Sequence, residues 1–404
     1  MRRAVLHEEL SEPTKSRKLR TAATDEKDLR ELRRLPGTWA NLRGPDDPEG
    51  PPFGGRGWNC IAVPFIKKPP PTPPTPPTPP TPPTPLTRPL DYRLLVNRFN
   101  EELRFSTVDD DVPNRGVSSD RKDNVDQFLV ALDYEQKITQ TAVADRPESQ
   151  VHGKAGDAIH HEPGLFLNMV DDPRTPVNAL PLARLGTIPH GDALLALGTA
   201  RERTLPADPD ADDLRSMNPV IPKFPGLPVG VPPNLGSPYL EPYNHFHTDK
   251  FLKIYDPTEP TELLDRRFFA GTPFGAEHTI VKATEFIFDT TFGSGGIHNV
   301  PFVINHANAT EMKFQMWILE MDKQDPATGE PVMVLQYAQL VFLDFFPRFG
   351  GNGEGLIRWP HVSINTLIKV AGPPKVGSQP PDHAEYPPPE TKAGPRPGRR
   401  RHRY

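Results

Sequence analysis

The patterned part of the chain ends with Ile357-Arg-Trp-Pro-His-Val-Ser-Ile-Asn-Thr-Leu-Ile-Lys-Val370. Its apolar residues recur with a period of two, at Val362, Ile364, Ile368 and Val370. This spacing predicts a β-strand with one face against a core. The opposite face carries His361 together with Trp359 and Asn365. Such a mixed surface suits either solvent or the interior of a barrel that holds an amphipathic ligand.

His361 is the histidine with the strongest case for a ligand role. A neutral imidazole is a common metal ligand and an axial ligand of haem iron, and a strand is a rigid place on which to mount it. The alternative is an ordinary, half-exposed strand residue. The direction of the side chain decides between them. If Val362 and Ile364 line the interior, the ligand hypothesis fails, unless a further element such as an N-terminal helix covers the outside of the strand.

The same strand pattern recurs along the chain, at residues 35–39, 57–65, 92–99, 101–108, 125–141, 158–170, 182–188, 193–199, 279–290, 311–321 and 332–346. The segments 92–99 and 101–108 form either a hairpin or one bulged strand. Short turns join the strands without alternating helices, so the predicted class is all-β. We predict an antiparallel up-and-down β-barrel of about ten to twelve strands, with a sandwich as the alternative. Pairing the first strand with the last would remove the exposed edges.

Composition divides the chain into a barrel, two insertions and two tails. Residues 1–34 are a charged N-terminal arm or helix, 35–370 a single barrel domain, and 371–404 a disordered, proline-rich basic tail. Residues 67–89 form a proline-rich loop whose Thr-Pro-Pro repeat favours polyproline II. Its core, 69–85, is either a projecting surface loop or a ligand for an SH3- or WW-type domain. Residues 201–275 are an irregular insertion, expected to be a lid or loosely ordered.

Charge and cysteine content narrow the function classes. The net charge of -5 is spread along the chain, so we expect neither a nucleic-acid surface nor a membrane-binding patch. Cys60 is the only cysteine, which excludes an intrachain disulfide and a covalent haem attachment. The chain has no secretory signal and no long apolar run, so we expect it to be cytoplasmic. Hydrolase elbows and phosphate-binding loops are missing as well.

Three ordered segments resemble the nitrobindin-like haem-binding barrels, which belong to the fatty-acid-binding-protein-like (calycin-like) β-barrel group. Gly37-Thr-Trp39 followed by Gly55-Arg-Gly57 is similar to the opening signature of that family, here split by an insertion. His160-His-Glu-Pro-Gly-Leu-Phe166, with Ile188-Pro-His-Gly191, is similar to its middle strands. Pro360-His361-Val362 is similar to the start of its closing strand, which supplies the proximal haem ligand. The long insertions depart from the compact family barrel at the pocket mouth.

The resemblance implies a non-covalent haem b cofactor with His361 as the iron ligand. The open face of the iron would then meet a diatomic gas or a peroxide, with weak peroxidase or nitric oxide and peroxynitrite reactivity as possible enzyme activities. His190 and His161 are candidates for that face, although each could simply cap a turn or bind a carbonyl. Trp39 and Trp359 could form walls for the macrocycle, or belong to the plain core.

Two further classes of function stay open. The barrel could carry an apolar small molecule without haem, as lipocalins do, or the proline repeat could make the chain an interaction scaffold. His245-Phe-His247 has a spacing that would place two imidazoles on one face of a strand and could bind zinc. Its proline-rich surroundings offer no clear third ligand.

Overall fold

The structure is a computed structural model of this chain, and it describes residues 27–41, 57–66, 91–108, 112–117, 122, 124–170, 180–204, 223–264, 280–324, 329–349 and 355–371. The strands are β1 (Gly37–Ala40), β2 (Gly57–Pro64), β3 (Tyr92–Thr107), β4 (Val112–Val117), β5 (Asn124–Arg146), β6 (Ala158–Val170), β7 (Leu182–Ile188), β8 (Asp192–Thr204), β9 (Ile280–Asp289), β10 (Gly296–Asn299), β11 (Asn308–Gln324), β12 (Pro331–Pro347) and β13 (Leu356–Ala371). The helices are α1 (Glu241–Thr248), α2 (Pro301–His306) and the short 3-10 helices Lys27–Arg34, Pro238–Leu240 and Glu262–Leu264.

Ten strand positions close into an antiparallel barrel, which confirms the predicted fold class. The hydrogen-bonded order is β3, β2, β13, β12, β11, β9, β8, β7, β6 and β5, and β5 pairs back with β3. The short strand β1 shares the position of β2, because it also pairs with both β3 and β13. Strands β4 and β10 lie outside the ring, against β5 and β8. Residues 92–107 form one strand with a bulge at Arg98/Phe99, the second of the two predicted possibilities.

A layer formed by residues 223–264 covers the outside of β2 and β13. In this outer layer the ring of Tyr255 stacks on Trp58, with centroids 5.6 Å apart, and Phe251 meets the edge of the same indole. Trp58 lies opposite Ile364 in the sheet. The apolar face of β13 therefore packs outward against this layer. The described part of the predicted irregular insertion is thus an ordered cover. It buries the outer face of β13, a role for which an N-terminal helix was considered from the sequence.

The 3-10 helix Lys27–Arg34 closes one end of the barrel. Leu29 and Leu32 are fully buried, although the segment as a whole is strongly charged. The Asn168 side chain donates a hydrogen bond to the Asp28 carbonyl, and Lys369 donates to the Arg34 carbonyl at 3.2 Å. We call this the closed end. The opposite end, where the turns β5–β6, β7–β8, β9–β11 and β12–β13 lie, is called the mouth.

Several sequence predictions fall wholly or partly outside the described residues. They concern most of the charged arm (1–26), the proline repeat (69–85), parts of the insertion (205–222 and 265–279) and the basic tail (372–404). The pair His245 and His247 is described, and it lies on helix α1 rather than on a strand. Residues i and i+2 of a helix point in different directions, and Phe246 between them is buried. His247 instead bonds Asp256 through Nδ1 at 2.9 Å.

Candidate functional site

The face of β13 that carries His361 points into the barrel. Asn365, on the same face, donates to the Glu101 carboxylate at 2.7 Å, and Tyr337 of β12 donates to the same oxygen at 2.6 Å. Ser363 donates to Asn59 of β2 at 3.2 Å. These partners meet inside the ring, and alternation along the strand places His361 with them. The ligand hypothesis required Val362 and Ile364 to point away from the interior. They do, because the outer layer buries that face of β13.

His361 lies between the interior and the mouth, opposite Val341 of β12. Taken as a whole residue, His361 is half-buried, and the residues on either side of it are fully enclosed. The exposed part of His361 faces the inside of the barrel. Burial, followed by the nearby His190 and His160, lowers the pKa of His361 to about 3. Among the described residues, no hydrogen-bond partner reaches its ring.

Three histidines from three separate strands and turns therefore gather at the mouth. The His160 and His190 rings make an edge-to-face contact with centroids 5.6 Å apart. His190 belongs to the exposed β7–β8 turn, yet partial burial and the nearby His160 lower its pKa as well. A hydrogen bond to the Ile159 backbone and the Asp192 carboxylate act in the opposite direction. At neutral pH we expect His361 and His190 to be uncharged.

His160, and not the predicted His161, is the inward member of the pair on β6. The His161 side chain is 55% exposed and meets Glu135 on the outer surface, with Nε2 and Oε1 3.0 Å apart. Successive strand residues point to opposite faces, so the inward set on β6 is His160, Glu162 and Gly164. His161 therefore cannot face His361. The sequence predicted His161, and the residue on the inward face is its neighbour His160.

An ion pair spans the interior beneath the histidines and forms the floor of the mouth. Arg184 of β7 donates to Glu162 and to Gln339 of β12, both at 2.9 Å. Tyr134 donates a short hydrogen bond to the same Glu162 oxygen, and His160 lies 3.3 Å from the other oxygen. Burial raises the pKa of Glu162, but the attraction of Arg184 and the hydrogen bonds of His160 and Tyr134 together outweigh it and lower the pKa to about 2. The carboxylate is thus ionised and fixes His160 in place.

The two tryptophans proposed as walls for a macrocycle do not flank His361 as open surfaces. Trp39 lies opposite Lys369, eight residues along β13, which corresponds to about 26 Å at the usual strand rise. Trp359 is fully buried, stacked on Phe345 at 4.8 Å and packed against Tyr92 at 4.4 Å. Both therefore belong to the core. A place in the core was the alternative role that the sequence left open for both tryptophans.

The histidine cluster is not a ready-made metal centre. Within the described ranges, no group of three His, Cys, Asp or Glu side chains is arranged to hold a metal ion. Cys60 lies on the outer face of β2, and burial raises the pKa of its thiol to about 11. It is therefore neither exposed to the mouth nor a thiolate. A cofactor bound at the mouth would rely on a single imidazole from the protein.

Comparisons with known proteins give no family for this chain. No protein-family model matches it, and no curated protein matches it either. A solved structure, Rv2717c from M. tuberculosis, aligns over 85% of this chain and 96% of its own length. The identity is 13% and the TM-score is 0.32, too low to support an argument about function. The barrel itself is established by its strand pairing.

Proposed function

We propose that this barrel binds haem b non-covalently at its mouth, with His361 as the iron ligand. One observation carries the proposal: His361 is an inward-facing imidazole, neutral because burial lowers its pKa to about 3, without a hydrogen-bond partner among the described residues. A neutral imidazole with a free nitrogen is what an axial ligand requires. Haem iron held by one imidazole keeps a coordination position open for a diatomic gas or a peroxide.

The residues at the mouth fit such a group. The inner face around His361 includes the partly accessible side chains Ile61 and Leu95, which can contact an apolar macrocycle, and Ser363, which can contact a polar edge. His160 and His190 lie near enough to His361 to lower its pKa, so they are the candidates for contact with a small ligand on the open side of the iron. Glu162 and Arg184 are bonded to each other and hold the floor rather than the ligand.

A haem titration tests the proposal. Wild-type protein should give a saturable Soret band near one equivalent, and His361→Ala should bind haem at least tenfold more weakly with a shifted band, because the axial bond is lost. His161→Ala is the matched control, since His161 lies on the outer surface, and it should behave as wild type. No saturable band, or equal affinity in all three proteins, would rule out ligation by His361.

The pH dependence of haem binding follows from the pKa of His361. Only the neutral ring can bind iron, and a pKa of about 3 keeps it neutral throughout the range from pH 5 to 8. We therefore expect the haem dissociation constant to change less than about threefold between pH 8 and pH 5. An unperturbed histidine would lose about thirtyfold over the same interval. Absorbance titrations at both pH values distinguish the two, and the larger loss would show that His361 is not in the environment described here.

A second candidate function is the transport of an apolar small molecule without haem. It is supported by the partly accessible apolar side chains on the inner face near the mouth, Ile61, Leu95 and Val143. Extraction of the purified protein followed by mass spectrometry would then yield a lipid and no porphyrin. The scaffold function of the proline repeat remains a third possibility, and deletion of residues 69–85 should abolish partner binding in that case.

A further inference from the structure

The segment at residues 290–310, between β9 and β11, contains no Asp, Glu, Lys or Arg. A quarter of the whole chain is charged, so such a long uncharged stretch stands out. Its only ionisable side chains are those of His298 and His306. The stretch holds β10 and α2 and lies at the mouth. We call it the uncharged loop.

The uncharged loop presents large apolar side chains to solvent. Phe302 is 68% exposed, Ile304 53% and Val300 46%. Single exposed apolar residues are normal, but three in five consecutive positions form a patch that marks an interaction site. The patch is adjacent to the histidine cluster, because the Val300 backbone N–H donates to the Gly191 carbonyl, next to His190, at 2.9 Å.

The loop is held in this exposed conformation by specific contacts. Strand β10 pairs with β8, and the Asn299 amide donates to the Ala309 carbonyl at 2.8 Å. Gly191 has a φ of +112°, and a Cβ at this position would lie 2.4 Å from Val300. The absence of a side chain there lets Val300 pack against the turn. These contacts keep the apolar residues from folding inward onto the barrel.

Apolar side chains also project from other turns at the same end. Ile66 after β2, Val151 on the β5–β6 turn and Leu356 before β13 are all exposed. Most of the large apolar side chains that the described residues expose lie at the mouth, whereas Val370 lies at the closed end. A flat apolar phase can contact several turns at once, while a groove on a protein partner would match one of them.

We propose that the mouth docks on a phospholipid bilayer, with the uncharged loop inserted shallowly into its interfacial region. The loop has no Asp, Glu, Lys or Arg to desolvate, whereas the rim of a protein interface would normally supply charged groups. Phe302 and Ile304 are the side chains that would enter the acyl boundary. The charged residues Glu148 and Lys154 on the β5–β6 turn would stay at the level of the head groups. No described helix is long and apolar enough to cross a membrane.

This inference does not depend on the proposed haem site, because docking is a property of the outer rim. The prediction of no membrane-binding patch rested on the overall charge balance, which has no bearing on apolar insertion. Docking would place the mouth against lipid, so that an apolar ligand could enter the barrel without crossing water.

Vesicle binding of the full chain tests the inference. We expect the haem-free protein to sediment with phosphatidylcholine vesicles, with little change between low and high salt. Phe302→Ser/Ile304→Ser should lower the partition constant at least tenfold, and Val370→Ser, an equally exposed residue at the closed end, should change it less than twofold. Binding that requires anionic lipid and disappears in salt, or binding that both variants share, would overturn the proposal.

A fluorescence probe reports insertion directly. All four tryptophans of the chain are buried, so a new one on the loop is distinguishable. Phe302→Trp should shift to shorter wavelength with vesicles and be quenched by brominated lipid, while Val370→Trp should show neither effect. If Phe302→Trp is not quenched, or if the wild type is a dimer that the double Ser variant dissociates in the absence of lipid, the surface binds protein and the bilayer proposal is wrong.

Discussion

Arg184→Met is expected to lower the free energy of unfolding by about 3–5 kcal/mol, because it leaves the buried Glu162 carboxylate without its ion-pair partner. Arg184 also packs on the ring of Phe314, with its guanidinium carbon 4.2 Å from the centroid. Methionine fills most of the volume but replaces neither the charge nor the hydrogen bond to Gln339. Urea unfolding at neutral pH, compared with the wild type, measures the loss.

Two further variants make this result specific. In Arg184→Met/Glu162→Leu no charge of the pair remains buried, so much of the lost stability should return. Arg358→Met breaks a more exposed ion pair with Glu311 and should cost only about 1 kcal/mol. A loss below about 1.5 kcal/mol in Arg184→Met, or a double variant less stable than the single one, would contradict the role assigned to the floor.

The pH dependence of stability gives an independent check on the same pair. The pKa of Glu162 is about 2 in the folded protein, below its ordinary value of 4.5. Its contribution to stability is therefore fully present above about pH 4.5 and is lost as the pH falls toward 2. In Arg184→Met the main attraction that lowers this pKa is gone, so the variant should lose less stability than wild type over that interval.

Glu101→Leu should destabilise the barrel by about 4 kcal/mol, because it leaves three buried or partly buried hydrogen-bond donors without their acceptor. The Glu101 carboxylate accepts from Tyr337 at 2.6 Å and from Gln136 and Asn365 at 2.7 Å. These groups come from three different strands of the ring. Burial raises the pKa of Glu101, and the three hydrogen bonds act in the opposite direction. Thermal and urea unfolding at pH 7 measure the effect.

Glu101→Gln is the matched control for this prediction. Its amide oxygen can still accept from Tyr337 and Asn365, and the Gln136 amide can rotate to face the new NH₂ group, so we expect a cost of about 1 kcal/mol. Leucine and glutamine variants of equal stability would show that the network does not hold the strands together.

The strand pattern predicted most of the barrel from sequence. Residues 158–170 and 182–188 were predicted with the boundaries that the structure has, because turn-forming residues such as Pro173, Pro189 and Gly191 follow each strand. The pairing of the last strand with the first was also predicted, and β13 pairs with both β1 and β2. The outer layer was not predicted, since proline-rich sequence of this kind usually lacks packing and the apolar residues of 223–264 show no period.

The candidate site was predicted less well, for reasons that follow from geometry. His361 was identified, but the choice between His160 and His161 depends on the register of β6, which a sequence of two adjacent histidines does not reveal. The apolar residues Leu165 and Leu167 share the parity of His161, so alternation in the sequence alone points to His161 and not to His160. Arg184 and Glu101 were not identified from the sequence, because only the three-dimensional structure brings their partners within reach.

The pairing of β13 with β1 and β2 also has a consequence for how the chain is made. The strand that carries His361 is the last described strand to leave the ribosome, and its partners are among the first. Until it emerges, the edges of β2 and β12 stay open and Trp58 lacks its neighbour Ile364. Contacts of such long sequence separation form slowly, and unpaired edges invite association with other chains. The nascent chain is therefore expected to need protection by chaperones until residue 371 has emerged, and closure of the barrel and completion of the histidine cluster then coincide.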